Sequence, residues 1–191
     1  TYTVKIDVAE GDSYYSANDL TDDSWKFTIA QKEITPQITA ENKDYDGNSE
    51  ATVSVEFDGL VAGETLEKDV DYTIDSATFD NANAGENKTV TVIFTSLNNT
   101  PKANNYTLSS DQATTAANID KKSITVTADA QTKIEGEVDP ELTYTVDGLI
   151  EGDRLTGNLV REEGEKPGTY DIKLGTLENP NGLQSIKRTQ I

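Results

Sequence analysis

Val53-Ser54-Val55-Glu56-Phe57-Asp58-Gly59-Leu60-Val61-Ala62-Gly63-Glu64-Thr65-Leu66 is the stretch on which the fold turns. Val53, Val55 and Phe57 alternate with polar neighbours, the period of a strand with one wet face and one dry face. Asp58-Gly59 then breaks the pattern with a turn pair, because glycine adopts positive φ without strain. The same phrase returns downstream: Leu142, Tyr144 and Val146 alternate, and Asp147-Gly148-Leu149-Ile150-Glu151-Gly152-Asp153-Arg154-Leu155 follows. Upstream landmarks recur in step. Ile34-Thr35, Ala40 and Lys43 reappear as Ile124-Thr125, Ala130 and Lys133. Independent landmarks sharing one step of roughly 90 residues imply duplicated structural units.

Period-2 alternation extends over most of the chain. It marks Tyr2, Val4, Ile6 and Val8; Trp25, Phe27 and Ile29; Val70, Tyr72 and Ile74; Val90, Val92 and Phe94; and Tyr170, Ile172 and Leu174. A sustained apolar stripe at helical spacing is missing, and at most Thr65 to Asp69 reads as one helical turn. The pattern predicts an all-β protein of tandem small antiparallel β-sandwich modules, Ig-like in shape and joined as an elongated rod. A β-grasp-like arrangement is the alternative. Residues 1–33 read as the back end of a preceding unit, 34–122 as a second unit and 123–191 as a third. The first residues already alternate, so the chain is expected to be a piece of a longer polypeptide. Few polar residues separate successive units near Lys32-Glu33 and Lys121-Lys122, which predicts stiff junctions.

The 191 residues carry a formal charge of −19 and contain no Cys, Met or His. So acidic a surface repels nucleic acid and anionic lipid, and neither is expected as a partner. Cysteine's absence excludes disulfides and thiolate chemistry, and histidine's absence removes the commonest general base near neutral pH. An enzyme is not expected, and no catalytic residue stands out. No stretch approaches the roughly 20 apolar residues of a membrane-spanning helix.

Lys43-Asp44-Tyr45-Asp46-Gly47-Asn48 resembles the motif of the YDG domain, and Ile34-Thr35-Pro36-Gln37-Ile38-Thr39-Ala40 and Asn105-Tyr106-Thr107-Leu108 fit it as well. Thr127-Ala128-Asp129-Ala130-Gln131-Thr132-Lys133, with Asp139-Pro140, Leu142-Thr143-Tyr144 and Gly168-Thr169-Tyr170, resembles an MBG-type domain. Ile134-Glu135-Gly136, where Tyr-Gly is usual, and Asn179-Pro180-Asn181-Gly182, where Asn-Tyr is usual, depart from it. The resemblance implies tandem units of a large extracellular bacterial protein of adhesin-like type, located at the cell surface, with a repeat role and no catalytic residues. Its implied partners are neighbouring repeat units of the same polypeptide, with a host protein or a glycan as the alternative.

Asp44, Asp46, Asn48 and Glu50 gather oxygen donors on one turn, the chemistry that suits Ca²⁺, the one cofactor considered. The plainer reading is a tight turn with Gly47 at positive φ and its carboxylates in water. Asp69 with Asp71, and Asp19 with Asp22 and Asp23, are weaker versions. Tyr14 and Tyr15 are the candidates for stacking on a sugar, whereas Trp25 shares a strand face with Phe27 and Ile29 and reads as core. Lys5, Lys43 and Lys133 are available for a Lys–Asn crosslink, against the plainer reading of solvated lysines. Gly47, Gly59, Gly63, Gly148 and Gly152 are the structural turn residues. The favoured function is a stalk or spacer segment of a surface adhesin. A binding module is the alternative, and an accessory part of a carbohydrate-active enzyme comes third.

Overall fold

The computed structural model describes residues 28–182 in full, with the backbone of strands on either side of them. Strands dominate, and the one helical piece among the described residues is a 3-10 turn at Ala103–Asn105, so the class is all-β. No helix among them is long and apolar enough to cross a membrane. β1 (Tyr2–Thr3) pairs with β4 (Lys26–Phe27), and β2 (Ile6–Val8) with β3 (Ala17–Leu20). A first unit follows, made of β5 (Lys32–Ala40), β6 (Lys43–Asp44), β7 (Val53–Asp58), β8 (Tyr72–Phe79), β9 (Gly85–Leu97), β10 (Tyr106–Leu108) and β11 (Gln112–Asp120). A second contains β12 (Lys122–Ala128), β13 (Tyr144–Asp147), β14 (Val160–Arg161), β15 (Ile172–Lys173) and β16 (Gly182–Lys187).

The first unit has two sheets, β10-β5-β7 and β6-β11-β9-β8. Val90, Val92 and Phe94 of β9 are at most 2% exposed, and Ile119 of β11 and Phe79 of β8 join them, with Val53, Val55 and Phe57 packing from the facing strand β7. Each such valine stabilises by about 1.5–3 kcal/mol when wholly buried. The Phe57 ring meets Tyr72 edge-on at 5.0 Å, a preferred aromatic geometry. Pro36 lies inside β5 without harm. β10 pairs only up to Ile34, so the missing N–H falls beyond that ladder.

The repeat reaches the level of register. β5 aligns Thr35 with Asp58 on β7, and β12 aligns Thr125 with Asp147 on β13. Each unit then adds a parallel strand on the other side, β10 beside β5 and β16 beside β12. Gly59 (φ +95°) and Gly148 (φ +87°) turn the chain back over the first strand of their own unit. A Cβ there would lie 3.0 Å from the Glu33 carbonyl oxygen and 2.6 Å from that of Ser123. Glycine is therefore required both by φ and by close approach. The second unit differs in its other layer: where the first has four strands, the described residues of the second form the two-residue pair β14-β15. Among the described residues its core gathers Val126, Ala128, Leu159 and Leu177, with Leu142, Tyr144, Leu155, Ile172 and Leu174 packed against them.

Several sequence expectations need correction. Three pairs, β10/β5, β11/β6 and β12/β16, run parallel, so the pairing is mixed rather than purely antiparallel. Val70 lies outside β8 and is 50% exposed, because Asp69 takes a left-handed turn (φ +64°) just before the strand. Ile29 is exposed rather than inward. Thr65–Asp69 forms no helical turn. The poorly alternating segment after Asn181 is nonetheless strand β16, held by its ladder to β12.

Candidate functional site: the junction of the two units

β11 ends at Asp120 and β12 starts at Lys122, so one residue separates the units. Beside this link, β6 runs parallel to the end of β11, with Lys43 opposite Ile119 and Asp44 opposite Asp120. The Tyr45 amide donates to the Asp120 carbonyl at 2.8 Å. The Asp46-Gly47 turn stops β6 there and leaves the Tyr45 ring in the first core, 6% exposed. Its hydroxyl crosses to the second unit and donates to the Asp153 carboxylate at 2.9 Å. Burial first, and then that carboxylate, raise the phenol's pKa, so it stays a donor.

Three further contacts close the junction. Ile150, from the second unit's Gly148–Gly152 turn, packs against the first core. Gly47 (φ +82°) makes room for it, since a Cβ there would sit 3.0 Å from Ile150 Cγ2. Asn181, 7% exposed, is the hub between them. Its side-chain oxygen accepts the Ala84 amide at 3.0 Å, its Nδ2 donates to Asn83 Oδ1 at 3.3 Å, and its carbonyl accepts the Lys122 amide at 3.1 Å. Its own amide donates to Asn179 Oδ1 at 2.8 Å. A buried amide with every group bonded fixes geometry, because loss of one partner leaves a desolvated polar group.

The turn considered for Ca²⁺ is organised around a lysine. Lys43 Nζ lies 2.8 Å from Asp46 Oδ2, 2.9 Å from Asn48 Oδ1, 3.1 Å from the Glu50 carbonyl and 3.3 Å from that of Asn48. The Asn48 amide donates to Asp46 Oδ1 at 3.1 Å. Burial works against ionisation of Asp46, but the bonds from Lys43 and the Asn48 amide outweigh it and lower its pKa. Asp46 and Asn48 are thus brought together and Glu50 contributes its main chain, while the Asp44 carboxylate enters none of these contacts. No group of three or more His, Cys, Asp or Glu side chains is placed to hold a metal ion among the described residues. Asp71, 3% exposed, instead caps a loop, accepting from Thr100 Oγ1 at 2.6 Å and the Glu67 amide at 3.0 Å. Tyr14, Tyr15, Asp22, Asp23, Trp25 and Lys5 lie outside the described residues, and only the backbone of Asp19, in β3, is described.

Lys133, the counterpart of Lys43, sits in a groove of about 1590 Å³ left by the second unit's reduced layer. Lys133 and Arg161 each touch both Asp139 and Glu165, at 2.7–2.9 Å, in a closed ring of four charges. Arg161, then Lys133, hold the Asp139 carboxyl down at about 2. Arg161 also lies over the Tyr170 ring, 5.5 Å from its centre.

Sequence reasoning found Gly47, Gly59, Gly63, Gly148 and Gly152, all at positive φ. It missed Tyr45, Ile150 and Asp153 as junction residues and met Asn181 as a departure from the MBG-type pattern. A signal was present, for Leu149-Ile150 sets two apolar residues inside a turn otherwise built of Gly and acid.

No curated protein and no solved structure matches the chain. Residues 30–116 match the YDG domain family and residues 124–181 the MBG domain (YGX type), so the chain carries these two domains in tandem.

Proposed function

We propose that the chain is a structural repeat segment of a bacterial cell-surface adhesin-like protein, whose units hold one another at a fixed angle and space a distal binding region. In this reading the segment is extracellular, non-catalytic and rod-forming, and its working residues are those of the junction. The observation that carries it is the docking of Ile150 into the first unit's core beside the Tyr45–Asp153 bond. A one-residue link supplies short reach, and buried contacts on both sides of it oppose bending. The groove supports the binding-module alternative less well, since its charges are paired with one another and Arg161 covers a face of Tyr170.

The test is the alignment of the two units in solution by residual dipolar couplings. The native chain is expected to need one alignment tensor for both. Ile150→Ala combined with Asp153→Asn should give each unit its own. Independent tensors in the native chain would refute the reading.

A further inference from the structure

The junction joins two kinds of turn, and the repeat gives the chain a second copy of each. The docking turn is Gly148–Asp153, whose counterpart is Gly59–Glu64; the seat is Tyr45-Asp46-Gly47, whose counterpart, one residue nearer to its repeat lysine, is Ile134-Glu135-Gly136. Within the chain, Ile150 covers the first seat, and a Cβ at Gly47 would touch it at 3.0 Å. Among the described residues the second copies are bare. Val61, in the place of Ile150, is 51% exposed. Ile134, in the place of Tyr45, is 70% exposed, and Val138 beside it 92%. Gly136 keeps the same left-handed turn (φ +83°) but has nothing within 4 Å of its Cβ position. Three aliphatic side chains thus stand in water on two turns whose counterparts are joined.

We propose that Ile134–Val138 is the seat for the Gly59–Glu64 turn of a second copy of this chain, docked head to tail as Gly148–Asp153 docks on Tyr45–Gly47. The occupant is read from continuity with the interface inside the chain, which pairs the same two turn types. Val61 fills the place above Gly136 that Ile150 fills above Gly47, and Ile134 and Val138 flank it. Such a contact is heterologous. It joins unlike surfaces and leaves one of each free at the ends, so it propagates rather than closes. The seat lacks the Tyr45 hydroxyl, and the Glu64 carboxylate is already taken by the Tyr106 hydroxyl, so the contact is apolar and weaker than its intrachain template.

The inference rests on reading the junction as a unit-coupling device, and its test is separate from the alignment measurement. Because the chain has no cysteine, Val61→Cys and Gly136→Cys each introduce a single thiol. The two are mixed in a glutathione redox buffer at about 0.5 M salt, which screens the repulsion between two acidic chains to a few ångströms. The mixed disulfide is expected to dominate over both like pairs, since the template places the two positions within disulfide reach. Adding Ile134→Asp to the acceptor variant should return the three products to statistical proportions. Ile134→Cys serves as a second acceptor that leaves the glycine turn intact. Statistical proportions with both acceptors, or an excess of a like pair, overturn the proposal. One alignment tensor together with statistical disulfides would refute this docking while leaving the intrachain junction standing.

Discussion

Alanine at the four repeat glycines separates two costs that usually come together. Gly59, Gly63, Gly148 and Gly152 all have φ between +85° and +95°, so a side chain meets similar backbone strain at each, about 1 kcal/mol. Only two of them also meet atoms. At Gly63 and Gly152 the Cβ position is open, at Gly59 it lies 3.0 Å from the Glu33 carbonyl oxygen, and at Gly148 2.6 Å from that of Ser123. The last contact forces the turn off β12 by several tenths of an ångström, and overpacking of that kind adds about 1–3 kcal/mol. Expected losses are therefore about 1 kcal/mol for Gly63→Ala and Gly152→Ala, about 1–2 for Gly59→Ala, and about 2–4 for Gly148→Ala. Native-state hydrogen exchange reads the units separately, through the amides of Val92 in the first core and Val126 in the second. Gly148→Ala should lower protection at Val126 more than at Val92, and Gly59→Ala the reverse. Equal losses for Gly148→Ala and Gly152→Ala would refute the close-approach argument and leave φ as the whole effect.

Two further outcomes follow from the charges. The Asp139 carboxyl, held at about 2 against an ordinary 3.8, is more acidic folded than unfolded, so it stabilises the fold above the ordinary value and that contribution fades as pH falls toward about 2. A carbon-detected NMR titration should place its midpoint near 2 and move it upward in Arg161→Met; a midpoint near 4 in the native chain would show that the four-charge ring does not form in solution. Because the Lys43 ammonium already lies among the oxygens of the Asp46–Glu50 turn, Ca²⁺ at about 1 mM should shift the Tm by less than about 1 °C. A rise of several degrees, lost in Asp44→Asn and Asp46→Asn, would mean that the ammonium gives way to the metal.

What was legible in the sequence is what one strand dictates by itself. Val53-Val55-Phe57 and Val90-Val92-Phe94 alternate because one face is buried, and both sets pack inward as read. The repeat was legible because the Asp-Gly turns depend on local φ. Properties set by a distant partner were not. Parallel pairing of β16 with β12 brings together residues some 60 positions apart, and little in residues 182–187 announces it. Val70 alternates with Tyr72 and Ile74, yet the turn at Asp69 carries it into water. Tyr45 stands in the YDG motif beside the tight turn at Gly47, and its ring is in the core. Its hydroxyl's partner is 108 residues away, and no one-dimensional pattern names it.

The parallel placement of β16 beside β12 governs how the second unit carries tension. A pull entering at Lys122 and leaving at Lys187 draws the two strands lengthwise past each other rather than peeling them apart. The six aligned pairs from Lys122↔Gly182 to Thr127↔Lys187 then bear the load together instead of one after another. The ladder yields as a block or holds as a block, so a segment tugged along its length resists in the one direction in which a tether is loaded.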